Sequence, residues 1–247
     1  MGLPTIAVPE YTLTIPSTGK EIKYRPFLVK EEKILLIALE SEDDAEVINA
    51  IKNIIQSCIF GDYDVSSMPT FDLEYIFLQL RAKSKGEVID LKYECPKCKI
   101  EIEVHVNTND VQIQLTKGHT NKIELTEELG VIMKYPTIEL QSAVAQFADE
   151  KRQIEGIFQM ISSSIEMIYD KENTYPVKDH TEEEINTFLE SLTDEHFQKI
   201  STFFDTMPKL EHKIQVNCTN KVGKGKNKSK CGYKEEQTLS GLQSFFA

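Results

Sequence analysis

The spacing of apolar residues changes period several times along the chain, and each change marks a change of element. Tyr11-Thr12-Leu13-Thr14-Ile15 and Glu21-Ile22-Lys23-Tyr24-Arg25-Pro26-Phe27 alternate in twos on either side of Pro16-Ser17-Thr18-Gly19. That pattern predicts a β-hairpin. Beyond it the spacing turns helical. Ile34, Leu35 and Ala38 share one side of a helix over 30–39, and Val47/Ile48, Ile51, Ile54/Ile55 and Cys58/Ile59 mark a longer one over 44–60. A third helix starts after Met68-Pro69. It has Thr70 as N-cap, Asp72 and Glu74 in the first turn, and Leu73, Ile76, Phe77 and Leu80 facing inward.

Gly86 returns the period to two. Val88-Ile89-Asp90-Leu91-Lys92-Tyr93 and Ile100-Glu101-Ile102-Glu103-Val104-His105-Val106 read as paired strands, followed by extended segments at 111–115, 122–125 and 130–135 and closed by Pro136. Residues 137–169 read as helix again, through Leu140, Val144, Phe147, Ile154, Ile157/Phe158, Ile161, Ile165 and Ile168, with a break near Ala148-Asp149. Thr181-Glu182-Glu183-Glu184 is a capping box ahead of Ile185, Phe188 and Leu189. A helix over 193–204 carries Phe197, Ile200 and Phe204 and ends at Met207-Pro208. Strands at 213–217 and 233–238 precede an amphipathic tail over 239–246. The tail's apolar side is Leu239, Leu242, Phe245 and Phe246, suited to folding back on its own domain or to docking in a partner's groove.

Together these elements predict an α+β fold. Residues 1–86 hold the N-terminal hairpin and three helices, 87–136 a first cysteine knuckle and β region, 137–211 a helical region, and 212–247 a second cysteine knuckle with a C-terminal amphipathic helix. The second knuckle returns to the first, so the middle helices are expected as an insertion between two halves of one ribbon.

Charge narrows the partners. Across 247 residues, 28 Lys+Arg face 40 Asp+Glu, a formal charge of −12. Affinity for a nucleic-acid backbone comes from neutralising phosphates, so this balance counts against that role. No apolar run approaches the roughly 20 residues of a membrane helix. Met1-Gly2-Leu3-Pro4-Thr5 has neither the basic nor the apolar region of a signal peptide, so an intracellular protein is expected.

In a reducing compartment, clustered cysteines are metal ligands or redox groups before they are disulfides. Cys95-Pro96-Lys97-Cys98 joins two strands. Cys218 and Cys231 flank a Gly/Lys/Ser/Asn-rich insert of twelve residues that lies between two more. Loop closure costs only logarithmically more as a loop lengthens, so Cys218 and Cys231 can still meet. Four thiolates on two hairpin tips suit a tetrahedral zinc ion of the zinc-ribbon type, with Cys95, Cys98, Cys218 and Cys231 as ligands. Such a site has no open position and is structural. Gly232 supports it by permitting the turn after a ligand. Two other readings stay open: reduced thiols without metal, and a redox pair, though the βαβ context of thioredoxin-like motifs is absent. Cys58 falls in the apolar series of the second helix and reads as a buried small hydrophobe.

No catalytic constellation emerges. His105, His119, His180, His196 and His212 form no H-x-x-x-H or H-E-x-x-H pattern. His105, on a strand leaving the first cysteine pair, is at most a spare ligand. Gly223-Lys224-Gly225-Lys226 lacks the strand and helix of a phosphate loop. The acidic runs Glu40-Ser41-Glu42-Asp43-Asp44 and Glu182-Glu183-Glu184 read as solvated faces. The lysines of the insert at 221–230 read as soluble filler, with contact to phosphate or an acidic partner as the alternative. They are the sole support for a different role, a zinc-ribbon adaptor touching nucleic acid.

Several runs resemble the baseplate hub proteins of T-even-type contractile-tailed phages. They are Tyr24-Arg25-Pro26-Phe27-Leu28-Val29-Lys30-Glu31-Glu32-Lys33, Phe71-Asp72-Leu73-Glu74-Tyr75-Ile76-Phe77-Leu78-Gln79-Leu80-Arg81-Ala82-Lys83-Ser84 with Gly86-Glu87, Cys95-Pro96-Lys97-Cys98, and the stretch from Ile123-Glu124-Leu125 to Gly130-Val131-Ile132-Met133-Lys134-Tyr135-Pro136. The resemblance implies a non-enzymatic component or assembly factor of the baseplate hub. It implies other hub or tape-measure proteins as partners, and a place in the host cytoplasm during assembly or in the virion tail. It assigns no functional residues beyond the cysteines, and the long insert between Cys218 and Cys231 departs from a compact second knuckle.

Overall fold

The computed structural model describes residues 6–145, 147, 152–222, 229–241 and 244. The chain begins with strands β1 (Tyr11–Thr14) and β2 (Glu21–Tyr24), helices α1 (Val29–Glu40) and α2 (Asp44–Cys58), strand β3 (Ile59–Phe60) and helix α3 (Thr70–Lys85). Strands β4 (Val88–Glu94), β5 (Glu101–Asn107), β6 (Gln112–Gln114), β7 (Lys122–Glu124) and β8 (Gly130–Met133) follow. Helices α4 (Ile138–Ala145) and α5 (Gln153–Ser164) lead into strands β9 (Ile165–Tyr169) and β10 (Thr174–Pro176). Helices α6 (Glu182–Glu190) and α7 (Asp194–Thr206) precede β11 (Lys209–Asn217), the short pair β12 (Lys221–Val222) and β13 (Ser229–Lys230), and β14 (Lys234–Ser240). This is a mixed α+β architecture. No helix among the described residues is long and apolar enough to cross a membrane.

Three buried clusters organise it. The first joins the sheet β1-β2-β3 to α1, α2 and α3 through Leu13, Ile22, Tyr24, Ile54, Ile76 and Phe77. The third packs α5, α6 and α7 on the sheet β10-β9-β8-β7 through Val131, Met133, Ile161, Ile165, Ile200 and Phe203. The second draws on two distant stretches, one on each side of the third in sequence. Its members Ile89, Leu91 and Val106 come from the β4-β5 hairpin, and Leu210, Ile214, Val216 and Leu239 from the sheet β14-β11-β6. Helix α3 serves two clusters, with Leu73, Ile76, Phe77 and Leu80 turned to the first and Leu78 to the second.

Local chemistry sets the boundaries. The Asp43 carboxylate accepts from the Ala45 N–H at 2.8 Å and caps α2. Glu31 in α1 is buried, yet its carboxylate accepts from Arg25 at 2.8 Å and from the Leu28 N–H at 2.9 Å. Burial pushes that carboxyl up, but these donors outweigh it and hold it below its ordinary value. The capping box at α6 forms as the sequence indicates, with Thr181 Oγ1 accepting from the Glu184 N–H at 3.2 Å and Glu184 accepting from the Thr181 N–H at 2.8 Å.

Three sequence expectations are corrected. Ile165 and Ile168 lie in strand β9, where Ile168 pairs with Val131 of β8, and the helix ends at Ser164. The i, i+4, i+7 spacing of Ile161, Ile165 and Ile168 fits a helix, but the edge of β8 captures the β-branched residues. Thr70 is the first residue of α3 rather than its N-cap, and its hydroxyl donates to the Pro136 carbonyl at 3.1 Å. Asp72 lies in the first turn of α3, as the sequence indicates, and takes its partner from outside the helix. It is buried and accepts from the Ser17 hydroxyl and, at 3.0 Å, from the Ser17 N–H, which pins the first hairpin turn to α3. Leu239 belongs to β14 and the second core, not to an amphipathic tail. The helix break near Ala148-Asp149, the central part of the lysine insert at 223–228, and Leu242, Phe245 and Phe246 lie outside the described residues.

Gly130 marks the tightest backbone approach in the third sheet. A Cβ there would collide with the Tyr169 hydroxyl and come within 2.7 Å of the Ile123 carbonyl oxygen. The carbonyl belongs to the paired strand β7 and cannot swing aside. Gly130→Ala is therefore expected to lower stability by about 1–3 kcal/mol. An unchanged urea midpoint would contradict this packing.

Candidate metal centre

Two antiparallel hairpins present the cysteines. In the first, β4 and β5 pair from Val88↔Asn107 up to Glu94↔Glu101, which leaves Cys95 and Cys98 in the connecting turn. In the second, β11 and β14 pair from Glu211↔Ser240 up to Asn217↔Lys234, which leaves Cys218 and Cys231 at the same end. The tips share a hydrogen-bond plan. The N–H of each first cysteine donates to the carbonyl two residues beyond the second cysteine: Cys95 to Ile100 at 2.8 Å, and Cys218 to Tyr233 at 2.9 Å. The residue after each second cysteine is left-handed, Lys99 with φ +59° and Gly232 with φ +66°. Glycine adopts that conformation freely, whereas Lys99 does so at a cost of about 1–2 kcal/mol. The Lys99 N–H offsets part of it by donating to the Cys95 carbonyl at 2.8 Å.

The four sulfurs converge. Cys95 Sγ lies 3.8 Å from Cys231 Sγ, and Cys98 Sγ 3.6 Å from Cys218 Sγ. All four Sγ atoms fall within 4.8 Å of one another. A tetrahedral ion with metal–sulfur bonds of about 2.3 Å holds its sulfurs about 3.8 Å apart. The two shorter separations are close to that edge and exceed the ~2.05 Å of a disulfide. Cys95 and Cys218 are buried, while Cys98 and Cys231 are half-buried. Leu91, Val216, Tyr93 and Tyr233 belong to the same cluster.

Electrostatics around the group divide its thiols. The Asn220 side-chain amide donates to Cys98 Sγ at 3.5 Å and is the main influence drawing that thiol down to about 6. Burial pushes Cys218 up to about 12 and raises Cys231 as well. Thiolates this close repel one another, so an all-thiolate state requires a cation among them.

The other sequence candidates lie elsewhere. His105 pairs with Asp90 across β4-β5, with its Nδ1 2.6 Å from Asp90 Oδ1, and is not among the four grouped side chains. Cys58 is fully buried in α2, and burial pushes its thiol up to about 11. It is a core residue, as its place in the apolar series indicates. One cluster escaped the sequence reading. His119 packs on Tyr135 and Phe203, with one ring nitrogen 3.0 Å from Thr206 Oγ1 and the other 3.0 Å from the Tyr135 hydroxyl. Burial holds its pKa below the usual histidine value. His119 lies between elements with no periodic pattern, so no local signal marks it.

The chain belongs to the T4 bacteriophage base plate protein family, which it matches over residues 8–247. It is similar to the baseplate hub assembly protein gp26 of Enterobacteria phage T4, at 26% identity over 241 residues, covering 96% of this chain and 98% of that protein. No solved structure matches the chain.

Proposed function

We propose that this protein acts, without catalysis, in assembling the central hub of a contractile-tail baseplate, and that Cys95, Cys98, Cys218 and Cys231 hold one structural Zn2+ ion. The observation that carries the assembly role is the end-to-end similarity to a baseplate hub assembly protein, which spans nearly the whole of both chains. Its partners are then other hub or tape-measure proteins, met in the host cytoplasm or retained in the tail. The acidic charge of −12 supports protein rather than nucleic-acid partners. The zinc assignment rests on sulfur separations of 3.6 and 3.8 Å at the tips of two matched hairpins. Four sulfur ligands complete a tetrahedral shell and leave no position for substrate, so the ion clamps the hairpins together as in a zinc ribbon.

A phage lacking this gene tests the assembly role. Infected cells are expected to accumulate tails or tail precursors without completed baseplates, and the protein supplied in trans should restore infectious particles. Normal particle yield without the protein would overturn the reading.

A further inference from the structure

Helix α1 carries two apolar stripes, and its own fold uses one. Glu31, Leu35 and Ala38 are buried against the first core. On the opposite side, at 3.6 residues per turn, Val29, Lys33, Leu36, Ile37 and Glu40 fall on an arc of about 100°. Val29 is 80% exposed, Leu36 49% and Ile37 54%, and Ile34 and Leu39 flank them, also exposed. Six of the fourteen large hydrophobics exposed among the described residues, Leu28 included, sit in this one stretch, so the face is a concentrated patch rather than scatter. A helix apolar on both sides is normally covered on both.

The charges around the patch point to what covers it. Basic Lys30 and Lys33 lie at its N-terminal end, and acidic Glu40, Glu42 and Asp43 lie at and beyond its C-terminal end. Turned antiparallel about an axis between residues 36 and 37, the helix is complementary to itself. Lys33 then faces Glu40 of a second copy, Ile34 faces Leu39 and Leu36 faces Ile37. The helix dipoles also oppose favourably in that arrangement. We infer that the protein forms a two-fold dimer through this face of α1, with a second copy of the chain as the occupant. Glu40, at the start of the acidic run, thereby has a use as the electrostatic mate of Lys33. The inference is independent of the metal site and of the assembly role.

A single helix pair is a small interface, so self-association is expected in the micromolar range. Sedimentation of the full chain from about 5 to 100 µM should show growth of a species of twice the 28.2 kDa chain mass. Leu36→Glu should abolish it. Lys33→Glu and Glu40→Lys should each weaken it about tenfold or more, and the variant carrying both should regain wild-type association. The substituted side chains are exposed, so circular dichroism and Tm of the dilute variants should stay at wild-type values. Three results overturn the inference: a monomer at about 100 µM, as expected if another baseplate protein covers the face; a dimer indifferent to Leu36→Glu; or a double charge swap that fails to rescue.

Discussion

Protein purified without chelator is expected to contain one zinc per chain, and Cys95→Ser or Cys98→Ser to contain none. The stability effect should be large. Structural zinc sites contribute folding energy directly, and an ion held by these four sulfurs would join two hairpins that share the second core. Each substitution is expected to cost about 3 kcal/mol or more, which lowers Tm by roughly 6–12 °C in a chain of this length. Cys58→Ala provides the contrast. It disturbs a fully buried position, so it should lower stability while leaving zinc content at one. Zinc well below one per chain, or iron in its place, would defeat the assignment, because a tetrahedral sulfur shell also accepts iron. So would serine variants as stable as the wild type.

The second large effect is expected at Phe203. Its ring is 1% exposed and meets His119, Tyr135 and Phe204, with centroids 5.2, 5.4 and 5.2 Å away. Helix α7 is thus fastened to the segment around β7 and β8 by one aromatic stack, which Tyr135 extends to Phe71 of α3 in an edge-on contact at 5.1 Å. Phe203→Ala removes both the buried ring and the support of its neighbours, at about 3–5 kcal/mol. Phe204→Ala should cost less, since Phe204 is only partly buried. Chemical denaturation of the two variants tests the ordering, and an equal or reversed cost would refute it.

The ordering bears on how much the sequence reveals. A period of 3.6 identified α7 and its inner side, but it favoured Phe204 with Phe197 and Ile200, whereas Phe203 is the deeper residue because the stack with His119 and Tyr135 comes from outside the helix. The hairpins at the cysteines were legible, since alternation and a thiol pair at the turn are both local signals. The left-handed turn after the second cysteine was legible at Gly232 and hidden at Lys99, whose residue type argues against it. Strand β9 was hidden for a different reason. Its isoleucines continue the helical spacing of α5, and their strand identity depends on the edge of β8 more than thirty residues earlier. Thr70 and Asp72 show the same limit for polar groups. Cap rules assign both to their own helix, while their partners, Pro136 and Ser17, come from distant turns.

The order of synthesis gives the split second core a further meaning. The buried members of the first core lie within the N-terminal 80 residues, and those of the third between Leu125 and Phe203. The second requires residues on both sides of the third, and 119 residues separate Cys98 from Cys218. At ribosomal rates of about 5–20 residues per second, that interval lasts roughly 6–24 s. Cys95, Cys98 and the apolar residues of β4 and β5 are thus made well before the β11 residues that share the second core with them. The four sulfurs can therefore come together only late in synthesis, once the segment that carries Cys218 and Cys231 has been made.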